Sequence, residues 1–237
     1  LNGIAFERRR DYSVPSLNVG IVHLEAAVAT PALLALMQQK VDTYLCPSDV
    51  APLLNVGRTF PFSANNSTNP LATSNYIGVN RSRGSSINDH IRRGGIFFEN
   101  KGVKFRDILD GTSSTLMLGE RRWQYNNVAG GISLARAGVV FGINARNYGN
   151  RGRNAQVGDC GPKINYTMDT NLPRARRGFS SMHPGGTQFA LADGSVRFIS
   201  ETIDADVGAN QYATTNATDS TYERLCAKAD GNPVGDF

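Results

Sequence analysis

Ser180-Ser-Met-His183-Pro-Gly-Gly186-Thr-Gln-Phe189-Ala-Leu-Ala192-Asp193-Gly194-Ser195-Val-Arg197-Phe198-Ile-Ser200 reads as two β-rich runs, 187–192 and 195–200, joined by Asp193-Gly194. That dipeptide is the strongest short-range hairpin signal, because a type I′ turn needs positive φ at both central residues. A two-residue turn there pairs Leu191 with Val196 and Phe189 with Phe198. The resulting hairpin carries one apolar face, and a slip of one residue would turn Arg197 toward that face instead. In this register His183 stands opposite Asp204, and some ten extended residues, about 30 Å, separate it from Asp193. The stretch therefore reads as two structural devices, His183 at the base of the hairpin and Asp193-Gly194 at its tip.

Outward from the hairpin the chain is loop-rich and leans toward β-structure. It has 237 residues, 40% hydrophobic, with 25 Gly and 10 Pro. A single domain of this length buries a substantial core. Thr30-Pro31 opens a short helix to about residue 40, with Leu33, Leu34, Leu36 and Met37 on its core side. Residues 41–45 read as a strand running into a turn at Cys46-Pro47-Ser48-Asp49. Residues 51–75 form a polar surface loop. Buried strands are expected at 76–79, 95–98 and 116–118, and a last helix at 221–229 with Asp219 or Ser220 as N-cap and Gly231 closing it. The stretch 124–178, rich in Gly, Asn and Arg, reads as a loop-rich insertion.

Charge is unevenly placed. Arg supplies 20 of the 25 basic residues; 121–187 holds ten basic and two acidic side chains, and 188–237 three basic and eight acidic. Arg146, Arg151, Arg153, Arg174, Arg176 and Arg177 form the candidate partner-binding surface, for nucleic acid or an acidic glycan. The same asymmetry suits head-to-tail contact between copies. Asp107 and Asp110 read as turn and cap carboxylates, with a calcium loop as the alternative and no other cofactor expected. Cys46, Cys160 and Cys226 lack zinc-type spacing. Cys160 with Cys226 is the preferred disulfide, three unlinked thiols the alternative. His23 and His90 stand in unrelated contexts. No Gly-x-Ser-x-Gly elbow, phosphate loop or His-Glu-x-x-His motif occurs, so the reading is non-catalytic. No run of about 18 uncharged apolar residues is present.

Five blocks in order carry a family resemblance: Cys46-Pro47-Ser-Asp49, Ser74-Asn-Tyr-Ile-Gly78, Asp110-Gly111-Thr-Ser-Ser-Thr115 running on to Gly119-Glu120, His183 with nine residues before Asp193-Gly194, and the closing Gly-Asn-Pro-Val-Gly-Asp-Phe237. Together they resemble the prepilin-like proteins abundant in planctomycetes, a His-x9-Asp-Gly domain family of unknown function. The resemblance implies an α+β, pilin-like globular head with a mostly antiparallel sheet, hairpins and long loops over residues 1–237. It implies an exported structural subunit at the cell surface or in the periplasm, a homo-oligomer or a partner of other pilin-like subunits. Family members carry a leader and a long apolar helix; Leu1-Asn-Gly-Ile is not that start, so membrane attachment is expected only through a missing N-terminal helix. The alternative is a surface module binding nucleic acid or acidic polysaccharide through its Arg-rich face.

Overall fold

The computed structural model describes residues 30–61, 68–81, 94–97, 102–141, 154–168, 174–209, 211, 217–232, 234–235 and 237. The core is one five-stranded sheet. Its strands are β4 (Tyr76–Arg81), β5 (Leu116–Glu120), β9 (Val157–Asp159), β10 (Gly186–Leu191) and β11 (Val196–Ser200), in the spatial order β11-β10-β5-β4-β9. Every pairing is antiparallel except β4 with β9. Three two-stranded ribbons flank it: β1 (Phe60–Pro61) with β2 (Thr68–Asn69), β3 (Thr73–Ser74) with β8 (Gly138–Val139), and β6 (Gln124–Asn126) with β7 (Ile132–Leu134). Among the described residues two short α-helices, α1 (Pro31–Met37) and α2 (Thr221–Leu225), complete a mostly-β α+β fold. Among the described residues no helix is long and apolar enough to cross a membrane.

The hairpin forms, but one residue out of the expected register. Phe189 faces Arg197 and Gln188 faces Phe198. The turn spans four residues: Gly194 N–H donates to the Leu191 carbonyl (3.0 Å) and Leu191 N–H to that of Ser195 (2.8 Å). Only Gly194 has positive φ, +87°, so this is a longer turn with glycine in the left-handed position rather than a two-residue type I′ turn. The neighbouring segment accounts for the shift. Ala192 and Asp193 N–H donate to the carbonyls of Thr115 and Thr112, tying the tip to the entry of β5. Val196 and Phe198 consequently face outward, 65% and 44% exposed, and only Ile199 of β11 is buried. Arg197 escapes the cost expected of the slip because β11 is an edge strand; its guanidinium lies 4.9 Å over the Phe237 ring.

Phe189, Leu191 and Ile199 join Ile77, Val79, Leu116, Phe179, Tyr222 and Leu225 in the core. Each such fully buried side chain contributes roughly 1.5–3 kcal/mol. Phe189 packs on Phe179 and Tyr222 at 5.1 and 6.5 Å between ring centroids. Gly119 makes this possible, because a Cβ there would meet ring carbons of Phe189 and Phe179 at 2.4 and 2.5 Å. Cys160 and Cys226, in the same cluster, form a disulfide across 66 residues, and Cys46 is free.

Other expectations change in detail. Helix α1 stops at Met37, the one buried residue on it, while Leu33 and Leu36 are exposed. Residues 41–45 contain a 3-10 turn, Asp42–Tyr44, rather than a strand. The loop expected over 51–75 ends in a buried run from Leu71 to Asn75. The strand expected at 95–98 reduces, within the described residues, to an isolated bridge of Gly94 with Arg81. Helix α2 is N-capped by Ser220, whose hydroxyl accepts from Glu223 N–H (3.4 Å), and it ends at Cys226 rather than Gly231. Residues 124–178 are not a peripheral insertion: they supply β9, Cys160 and Ile164 to the central core.

Candidate functional site: a Cys–Glu–His cluster

The site forms where four of the five sequence blocks meet. After the turn at Pro47-Ser48, Asp49 carries a carboxylate that accepts from Val50 N–H (2.9 Å), Trp123 N–H (2.8 Å) and the Asn75 amide. Burial pushes the Asp49 carboxyl up, partly opposed by these donors. Asn75 accepts from Cys46 N–H (3.0 Å) and donates to the Arg121 carbonyl (3.0 Å). One amide side chain thus links the Cys46 turn, the start of β4 and the end of β5. Cys46 is buried, and burial, with Glu120 and Asp49 nearby, pushes its thiol up.

Glu120 closes β5 and is 3% exposed. Its Oε2 accepts from Thr187 Oγ1 (3.1 Å) and Gln188 N–H (2.9 Å) of β10, which leaves Oε1 aimed at His183 (3.5 Å). His183 precedes β10 at the hairpin's base, as its sequence position implies, but its partners are not Asp204. The Asp204 carboxylate instead accepts from Thr221 N–H and Oγ1 at the start of α2. His183 Nε2 lies 3.5 Å from Cys46 Sγ, and its side chain is 34% exposed. His183 N–H donates to Ser181 Oγ (3.0 Å), and that hydroxyl to the Gly186 carbonyl (2.7 Å), which fixes the loop carrying the imidazole. A Cβ at Gly186 would lie 2.2 Å from the Ile199 carbonyl, so glycine lets the loop cross β11.

Cys46 Sγ, Glu120 carboxylate and His183 Nε2 lie within 4.8 Å of one another. A small, partly open space of about 10 Å³ borders Cys46, Glu120 and Met182. An open cleft of about 350 Å³ adjoins it, lined by His183, Met182, Arg122, Asn165, Glu201 and Gln211.

Arg121, next to Glu120, is fully buried and donates to four main-chain carbonyls, those of Asn154, Val157, Arg177 and Gly178. Burial holds its pKa down to about 9. Arg58 does the same for the carbonyls of Ala135, Arg136, Ala137 and Arg176. These two clamps, the orientation of the Glu120 carboxylate and the role of Asn75 are not visible in charge or spacing. Asn75 and Glu120 lie inside quoted blocks, which is the signal that points to them.

The remaining site candidates disperse. Asp193 accepts from Ser195 N–H and Oγ at the exposed tip, which with that hydroxyl holds its pKa down. Asp110 accepts from the N–H groups of Asp230 and Gly231, and Gly111 follows at φ +97°. Asp107 accepts from Lys104 N–H. Both carboxylates therefore serve backbone amides, in place of a shared calcium loop. Arg174, Arg176 and Arg177 are half-buried, and Arg176 reaches the Leu134 carbonyl. Arg146, Arg151 and Arg153, like His23 and His90, lie outside the described residues.

A mostly-β α+β domain with a Cys–Glu–His cluster at the base of its hairpin is thus the class the coordinates define. The chain belongs to a family of proteins of unknown function, DUF1559, whose family model matches residues 21–206. No curated protein and no solved structure matches it.

Proposed function

We propose that the chain is a non-catalytic, exported structural subunit, a pilin-like head that associates with further copies of itself at the cell surface. The observation that carries this reading is the free edge of the central sheet. Strand β11 is one of the two outer strands, pairs with no further strand among the described residues, and carries Val196 and Phe198 side by side on its outward face. An edge with unpaired backbone groups and apolar side chains is a template for another strand. The acidic balance of 188–237, which contains β11, complements the basic balance of 121–187, so a neighbouring copy offers the matching charge. The disulfide between Cys160 and Cys226 suits an oxidising, extracytoplasmic compartment.

Catalysis has less support. Cys46 and Glu120 both approach the same nitrogen of His183, whereas a thiol–imidazole–carboxylate relay needs one partner on each ring nitrogen. Arg174, Arg176 and Arg177 are half-buried, so the Arg-rich face of the alternative surface module offers less exposed charge than its sequence suggests.

The test is molar mass in solution with negative-stain microscopy, at low and high salt, for the native protein and for a Val196→Lys, Phe198→Glu double variant. Concentration-dependent assemblies that the double variant abolishes are expected. A native protein that stays monomeric throughout, or assemblies indifferent to the double variant, would overturn the reading.

A further inference from the structure

We infer that Cys46, Glu120 and His183 form a binding site for a zinc-class divalent cation. Three ligand-type side chains converge here, at separations close to those of ligands around one metal ion. Thiolate, imidazole and carboxylate are the three side-chain donors that zinc takes. With ordinary zinc–ligand lengths, tetrahedral geometry places sulfur and nitrogen ligands about 3.6 Å apart, and nitrogen and oxygen about 3.3 Å apart. Here Sγ to Nε2 is 3.5 Å and Nε2 to Oε1 is 3.5 Å. The second distance exceeds an N–H···O hydrogen bond, which runs at about 2.7–3.2 Å. One ring nitrogen carries at most one hydrogen, so it cannot donate to both neighbours. A cation between the three atoms satisfies all of them, and the two separations to Nε2 are already close to those of a tetrahedral centre.

Two independent features point the same way. A small partly open space beside Cys46 and Glu120, about 10 Å³, is the size of a single water or ion, and the cleft that His183 lines adjoins it and offers an entry path. The carboxylate is also pre-oriented: Thr187 and Gln188 hold Oε2, so Oε1 is the oxygen presented to the cluster. Outer-shell bonds of this kind orient metal ligands, and their loss typically lowers affinity about 10–100-fold. Binding replaces the thiol proton of Cys46 with the cation, and the proton leaves to solvent.

The experiment titrates cobalt(II), then zinc(II), into the full chain with its disulfide intact and Cys46 kept reduced. One equivalent of cobalt should give a thiolate-to-cobalt charge-transfer band and strong visible bands of a tetrahedral centre, both erased by zinc. His183→Ala, whose side chain is partly exposed and so leaves folding least disturbed, should lower zinc affinity roughly a hundredfold or more. Thr187→Val should lower it about tenfold. Cobalt spectra without the charge-transfer band would overturn the proposal, as would a band or zinc affinity unaltered by His183→Ala. If Cys46→Ser folds, it must lose the band; if it does not fold, the His183 variant decides.

Discussion

Replacing Arg121 by Met tests whether a buried guanidinium organises this fold through carbonyls rather than through an opposing carboxylate. The substitution keeps much of the side-chain volume and removes every donor. Four buried carbonyls lose a charge-assisted hydrogen bond. That of Arg177 also accepts from Asp159 N–H (2.8 Å), so it is not stranded. The carbonyls of Asn154 and Gly178 are the most exposed to loss, at roughly 1–3 kcal/mol for each acceptor left unsatisfied. Against this stands the relief of no longer burying a cation, a cost visible in the pKa of about 9. The balance is a destabilisation of about 3 kcal/mol. For a chain of this size that corresponds to roughly 6–12 °C in melting temperature. Urea unfolding followed by the fluorescence of Trp123, the sole tryptophan, should show a lower midpoint with an unchanged slope. Because Gly178 and Arg177 lead directly to Ser180, Ser181 and His183, zinc affinity should fall in the same variant. A loss below about 1 kcal/mol would refute the clamp, because the carbonyls would then be satisfied without it.

Two further perturbations address stability elsewhere. Burial raises the Glu223 carboxyl from 4.5 to about 7, and Asp219, with Asp206 also close, adds to the rise. A folded-state pKa above the unfolded one means that the native state binds more protons between those values. The contribution of Glu223 to stability is therefore fully present below about pH 4.5 and is lost as pH rises through about 7, by at most about 3 kcal/mol before solvent screening reduces it. Glu223→Gln should flatten that part of the stability–pH curve, and an unaltered slope would contradict the assignment. The Cys160–Cys226 disulfide closes a loop across 66 residues, for which the chain-entropy relation gives about 4 kcal/mol. The double alanine variant should lose about 2–4 kcal/mol in urea, and thiol titration of the unfolded native chain should find Cys46 alone before reduction.

Local features were legible because local chemistry decides them. The strand read at 76–79 falls within β4 and that at 116–118 within β5, both apolar runs bounded by turn residues. Asp193-Gly194 marks a hairpin, and Ser220 caps a helix, through bonds that need only near neighbours. The register slip was not legible, because two hydrogen bonds from the segment ending at Thr115 set the turn, and that segment lies some 75 residues upstream. Apolar pattern also misled at Val196 and Phe198, since nothing within the hairpin says which strand ends the sheet. Charge alone did not separate the candidate surface arginines from Arg58 and Arg121, which lie outside that set and are interior: a side chain's charge is written in the sequence, its solvent is not. The Cys46–Glu120–His183 cluster was least legible. Its members are up to 137 residues apart and follow no metal-ligand spacing. Each lies in a recurrent block, but the blocks show that residues matter and not that they meet.

The order of the strands in the sheet has a consequence for how the chain is made. Strand β4 sits between β5 and β9, so early residues wait for a parallel partner that begins at Val157. The core remains open until Tyr222 and Leu225 arrive, and the covalent clasp requires Cys226. A polypeptide made in sequence order therefore carries an unfinished sheet and unmet long-range contacts until these late segments follow. The core closes only once Tyr222, Leu225 and Cys226 are in place, so the shape is acquired late and nearly all at once.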